Sequence, residues 1–224
     1  MARPPRTPPT RRLFVGLRLP LAIATPLAAD VRRALAPGLG PDGDPPRGLR
    51  LVAARDLHLT LCFLGAVAET RLERLGRGLE EELGTLARPE LVVRGAGGFP
   101  GLAAPRVLWC GVAEHGTGDR LAALHEGACQ AARMVGWRPS RAERARPFRP
   151  HLTVARVRRD RLGAGVTFVE FGGIGFEARW RPSAVVLMES RPDRPAERYP
   201  TLHTVPLELP PGPADGPAST RRPG

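Results

Sequence analysis

Lysine is missing from this chain. All 34 basic residues are arginine, against 22 acidic ones, so the net charge of +12 is carried by guanidinium groups. With 26 Gly and 26 Pro beside them, that preference fits a coding bias, and arginine richness alone names no partner. Cysteine is scarce. Cys62, Cys110 and Cys129 are odd in number and form no C-x-x-C pair, which argues against a disulfide framework or a zinc site and suits a reducing cytoplasm. They read as small buried apolar residues. A long uninterrupted apolar run is also lacking: the stretch from Leu13 to Ala29 follows Arg11-Arg12 but is broken by Arg18, Pro20 and Pro26. Neither an export signal nor a membrane span, which needs about twenty apolar residues, is supported. The glycine-rich runs Gly95–Gly101 and Gly172–Gly175 hold no G-x-x-x-x-G-K-[ST] or G-x-G-x-x-G pattern between a strand and a helix. They read as turns or bulges rather than as a P-loop or Rossmann nucleotide site.

What the chain does have is one tripeptide twice. His58-Leu59-Thr60 recurs as His151-Leu152-Thr153, and these two account for two of only five histidines. On an extended strand, residues two apart face the same side. The flanking apolar residues Leu57, Leu59, Leu61 and Phe63, and Leu152 and Val154, pattern as half-buried strands. Each copy therefore shows an imidazole and a hydroxyl on one surface. Two such strands side by side would converge on one small group, equipped for acid-base chemistry on a phosphodiester. One imidazole removes a proton from the attacking oxygen and the other supplies one to the leaving oxygen, while the threonine hydroxyls hold the non-bridging oxygens. A single His-x-Thr is a common strand pattern; its duplication carries the reading.

The other histidines read differently. His115 sits in a Glu-His-Gly-Thr-Gly turn and His125 on a helix face, both as ordinary surface or partly buried residues, and His203-Thr204 has the wrong spacing for a third copy. Charge is concentrated around the second motif. Residues 138–161 hold nine Arg against Glu143 and Asp160, an excess equal to that of the whole span 13–210, and this reads equally as a solvated loop of charges beside a strand or as an electrostatic funnel for a polyanion such as an RNA end. Aromatic interleaving there is limited to Trp137 and Phe148, so base stacking is weakly advertised.

The pattern predicts strands at Leu13–Leu19, around His58, at Leu91–Arg94, Arg106–Val112, around His151, and at Val166–Phe171, Ala184–Glu189 and His203–Leu209. It predicts helices at Leu21–Leu35, Glu69–Leu86 and Gly118–Val135, with a Pro/Gly-rich loop from Pro37 to Gly48. The expected architecture is α+β, two pseudo-symmetric lobes with antiparallel-rich sheets flanked by helices, and a central cleft carrying both His-x-Thr strands. Residues 13–210 form one bilobal domain between disordered tails at 1–12 and 211–224.

Four stretches in order, R-L-F-V-G-L-R-L-P (12–20), L-H-L-T-L-C-F-L-G (57–65), P-R-V-L-W-C-G-V (105–112) and R-P-F-R-P-H-L-T-V-A-R-V (146–157), make the chain resemble the two-histidine phosphoesterase superfamily. Within it, the resemblance is to the RNA 2',3'-cyclic phosphodiesterases, once described as 2'-5' RNA ligases. The resemblance implies hydrolysis of a 2',3'-cyclic phosphate end of RNA or an oligonucleotide to a 2'-phosphate, with no metal or nucleotide cofactor. A cytoplasmic monomer with no membrane association is the expectation for the protein that does it. The resemblance also implies that His58 is the proton donor and His151 the acceptor, with Thr60 and Thr153 binding the phosphate. An ATP-independent 2'-5' ligase and a non-catalytic RNA-binding module are the alternatives. Relatives often have an aromatic residue before the first motif and a Lys after its Thr; here those places hold Leu51 and Cys62.

Overall fold

Residues 8–36, 45, 47–144, 146–162 and 168–209 are described by a computed structural model of the chain. Nine strands form one sheet: β1 (Thr10–Arg18), β2 (Leu49–Leu51), β3 (His58–Ala68), β4 (Leu91–Phe99), β5 (Val107–Glu114), β6 (His151–Val157), β7 (Ala178–Trp180), β8 (Ala184–Glu189) and β9 (Thr201–Pro206). The order is β7-β4-β5-β6-β3-β1-β8-β9, with β2 added to the edge of β6, and every strand ladder is antiparallel. The two His-x-Thr strands, β3 and β6, are neighbours at the middle, each flanked outward by three more strands of its own half. The α+β, antiparallel-rich architecture expected from the pattern is the one observed.

Three helices cover one face: α1 (Leu21–Ala34), α2 (Leu72–Leu83) and α3 (Arg120–Met134). Their apolar stripes, Ala24, Leu27 and Val31 on α1, Leu75, Leu79 and Leu83 on α2, and Leu121, Leu124, Ala128 and Ala131 on α3, are buried in a cluster with Leu59, Leu61, Leu152 and Val154 of the sheet. Removing that apolar area from water is the main force holding helices to sheet. On the opposite face, His58, Thr60, His151 and Thr153 stand half-buried, beside a small cluster of Phe14, Val186, Met188 and Tyr199. No helix among the described residues is long and apolar enough to cross a membrane.

Several boundaries differ from the sequence expectation. The first strand starts at Thr10, so residues 10–12, assigned to a tail, pair instead with Ala66–Ala68 of β3. Residues 1–7 and 211–224 of the two tails, and most of the Pro37–Gly48 loop, lie outside the described residues. Strand β4 runs on to Phe99 because Gly95, at φ +69°, supplies a bulge within it rather than its end. The strand expected at 166–171 is not one over its described part: Glu170–Gly173 is a 3-10 turn. Phe168 and Phe171, three apart, are both buried, a spacing that a 3-10 turn puts on one side.

Candidate functional site

The junction of β3 and β6 sets the site. Leu59 pairs with Leu152, so in this antiparallel register His58 stands across from Thr153 and Thr60 across from His151. The repeat is thus related by a near twofold axis through the two leucines, and all four polar side chains project to the open face. Diagonal neighbours such as the two histidines stand about 7–8 Å apart in a regular ladder, room for one phosphate between them. Behind the first motif, Gly16 of β1 lets the strands close: a Cβ there would lie 2.5 Å from the Leu59 carbonyl oxygen.

Both imidazoles are fixed by the same device. His58 Nδ1 bonds the carbonyl of Asp56 at 2.6 Å, and His151 Nδ1 bonds the carbonyl of Arg149 at 2.7 Å, each two residues upstream. A carbonyl only accepts, so Nδ1 carries the proton in each ring and Nε2 is left to exchange one with a ligand. The Asp56 carbonyl is presented by a 3-10 turn, Ala54–Asp56, just ahead of β3. Pro150 keeps Arg149 out of helical conformation ahead of β6. The hydroxyls of Thr60 and Thr153 take no partner among the described residues, which leaves them available to a bound anion.

Aromatic walls flank each ring. His58 lies 4.7 Å from Phe14 and 4.9 Å, edge-on, from Tyr199. His151 lies 5.1 Å, edge-on, from Phe99 and 6.4 Å from Trp109. Trp109 itself lies across Gly97, where a Cβ would come 2.4 Å from its ring. The sequence pattern assigned none of these four to the site; it pointed to aromatics along the Arg-rich segment and to the place before the first motif, which holds Leu51. Along that segment, Trp137 packs on the core, and Phe148 stacks on His125.

Arginines surround the first histidine. Arg18 is the β1 residue opposite His58; its Nη2 donates to the Tyr199 carbonyl and, at 3.0 Å, to Thr201 Oγ1, tying the loop that carries Tyr199 to the site. Arg50 of β2 and Arg156 of β6 are direct cross-strand partners, and neither has an acidic partner among the described residues. Like charges placed opposite each other cost stability, and burial together with the charges of Arg198 and Arg156 lowers the Arg50 pKa. Burial, and then the charges of Arg18, Arg156 and His151, push the His58 imidazole down to about 4, against the raising effect of its bond to Asp56. The site is therefore positively charged and suited to an anion. Within the Arg-rich segment, Arg158 and Arg161 share Asp160 at 3.3 and 3.9 Å, while Arg141, Arg146 and Arg149 are exposed.

The remaining histidines stand apart from this face. His115 Nε2 lies 3.1 Å from Arg179, and His203 contacts Gly76 and stands 3.0 Å from Glu80, both on α2. His125 on α3 bonds the Leu61 carbonyl.

Comparison with known proteins agrees with the geometry. Residues 24–194 match the 2'-5' RNA ligase superfamily. An RNA 2',3'-cyclic phosphodiesterase of Aeropyrum pernix is 30% identical over 158 residues, covering 70% of this chain and 85% of that protein. One of the same name from Archaeoglobus fulgidus is 38% identical over 112 residues, half of this chain. This chain spans 58%, 40% and 60% of the length of the relatives from Archaeoglobus fulgidus, Geobacillus stearothermophilus and Methanothermobacter thermautotrophicus. In structure it is similar to E. coli LigT complexed with 3'-AMP, with a TM-score of 0.64 and 26% identity over 89% of this chain and 99% of that one. Two His-x-Thr strands back to back in one antiparallel sheet, and a match across residues 24–194, place this chain in the 2'-5' RNA ligase superfamily.

Proposed function

We propose that this chain opens 2',3'-cyclic phosphates at RNA ends to 2'-monophosphates, using His58 and His151 as acid and base and no metal ion. The observation that supports it best is the shared anchoring of the two rings: each Nδ1 is committed to a carbonyl two residues upstream, so each Nε2 is the exchangeable position on a common face. The relatives named RNA 2',3'-cyclic phosphodiesterase point the same way.

In this reading His151 Nε2 takes a proton from water as its oxygen attacks phosphorus. The bond from phosphorus to the 3'-oxygen breaks on the far side, and His58 gives that oxygen a proton. Thr60 and Thr153 donate to the non-bridging oxygens, whose charge grows in the transition state. An imidazole held near 4 carries little proton at neutral pH. The substrate's own anion, drawn in beside Arg18 and Arg156, favours the imidazolium and brings the donor into its working state. Ligation to a 5'-hydroxyl is the same opening with a nucleoside oxygen in place of water as the attacking group, and needs no ATP.

The test is to incubate the protein with an oligonucleotide ending in a 2',3'-cyclic phosphate in excess chelator and identify the product. A 2'-monophosphate formed at an undiminished rate is expected. A 3'-monophosphate, or loss of activity with chelator, overturns the proposal.

A further inference from the structure

Each His-x-Thr strand carries a one-residue bulge immediately after its threonine. In β3, Val15 faces Cys62 and Gly16 faces Thr60, which leaves Leu61 as the extra residue. In β6, Leu108 faces Ala155 and Trp109 faces Thr153, which leaves Val154. A bulge re-aims the residues beside it and takes a backbone group out of the ladder. In β6 that group is held by main chain, the Val154 carbonyl accepting from the Val52 amide at 2.9 Å. The equivalent carbonyl of β3, Leu61, accepts instead from a side chain, Nδ1 of His125 on α3, at 2.8 Å. The same ring lies flat on Phe148, centroids 4.0 Å apart and planes 2° from parallel. Phe148 stands three residues before His151. One imidazole thus touches the chain just after the first motif and just before the second.

We infer that His125 is a positioning residue, fixing Thr60 through the bond from its Nδ1 to the Leu61 carbonyl. This rests on the reading of the site given above. The hydroxyl of Thr60 must meet a phosphate oxygen closely, and the carbonyl next in the chain belongs to the bulged residue, which the β1 register leaves unpaired. Losing its donor frees the bulge to relax and leaves a carbonyl beneath the sheet without a partner. The contact is also chemically specific. The donor must sit at Nδ1, which the side-chain amide of asparagine reproduces at the same number of bonds from Cα, while glutamine's lies one bond further out and phenylalanine keeps only the stacking ring. Cys129, whose Sγ lies 3.9 Å from the same nitrogen, raises the His125 pKa and favours a ring that donates.

The experiment compares His125→Asn, His125→Gln and His125→Phe on a cyclic mononucleotide, with thermal melting of each. Asn is expected to keep kcat within about threefold of the parent. Gln and Phe are expected to lose about 10–100-fold in kcat, the usual cost of a misplaced group, with KM changed less than about threefold. Equal kcat for Asn and Gln, at any level, overturns the inference. Should the Phe variant fail to fold, the Asn and Gln pair alone decides. The amide resonances of Thr60 and Cys62 provide a second readout: they shift in His125→Gln and stay in place in His125→Asn. That readout holds even if the parent opens no cyclic phosphate, a result that would sink the proposed function and leave His125 to be judged on the resonances alone.

Discussion

Leu59 and Leu152 face each other where β3 meets β6, and neither exposes any surface. These two side chains are the centre residues of the repeated tripeptide, so the contact that joins the halves also aligns the two His-x-Thr faces. Replacing either with alanine is expected to cost about 2–5 kcal/mol of stability, as deep leucine truncations do. Leu21→Ala, at an exposed position, is expected to cost under about 0.5 kcal/mol. Urea denaturation of the three variants checks the contrast.

Replacing His58 or His151 with alanine is expected to lower the rate of cyclic-phosphate opening by about 10²–10⁴, with the double variant losing far less than the product of the two. The roles separate on a phosphodiester with a 4-nitrophenolate leaving group, which departs without a proton. His58→Ala recovers most of its loss on that substrate if His58 is the donor, and His151→Ala does not. Recovery by His151→Ala instead would exchange the assignments.

His58 gives a pH signature of its own. Its folded pKa is about 4, below the ordinary value of 6.5, so the folded state resists a proton that the unfolded chain accepts. The stabilisation is therefore complete above about pH 6.5 and is lost as pH falls through about 4. A His58→Gln variant should lack this part of the acid destabilisation, read from urea midpoints across that window. A 2'-mononucleotide bound at the site should move the His58 titration upward in NMR. An unmoved midpoint would remove His58 as the donor.

Arg50 and Arg156 face each other across the β2–β6 ladder, and neither makes an ion pair with an acidic residue among the described residues. Arg50→Gln is expected to raise the melting temperature slightly while lowering kcat/KM for an oligonucleotide and sparing a mononucleotide. The oligonucleotide rate should also fall steeply with salt and the mononucleotide rate little. Equal salt dependence for both substrates would reject steering by this arginine-rich surface.

The pair of motifs was legible because a strand repeats every two residues: His58 and Thr60, with Leu59 between them, declare one polar and one apolar side. The helices of residues 72–83 and 120–134 were legible from their leucine and alanine spacing for the same reason. The bulges left a fainter mark, two adjacent buried residues at Leu61-Cys62 and again at Val154-Ala155, which break the alternation. The walls of the site left none. Tyr199 reaches His58 because Arg18, 181 positions away in the chain, bonds its carbonyl, and no local pattern encodes such a pairing. His125 looked like any histidine on a helix because its partner is a backbone oxygen, and sequence does not show which carbonyls a fold leaves out of its ladders.

Each imidazole looks across the seam at the hydroxyl belonging to the opposite motif. In the proposed reaction neither half owns a complete set of reactive groups, and a change of tilt in one strand would misdirect groups contributed by the other. The two halves therefore work as a single unit only while their shared seam keeps its register.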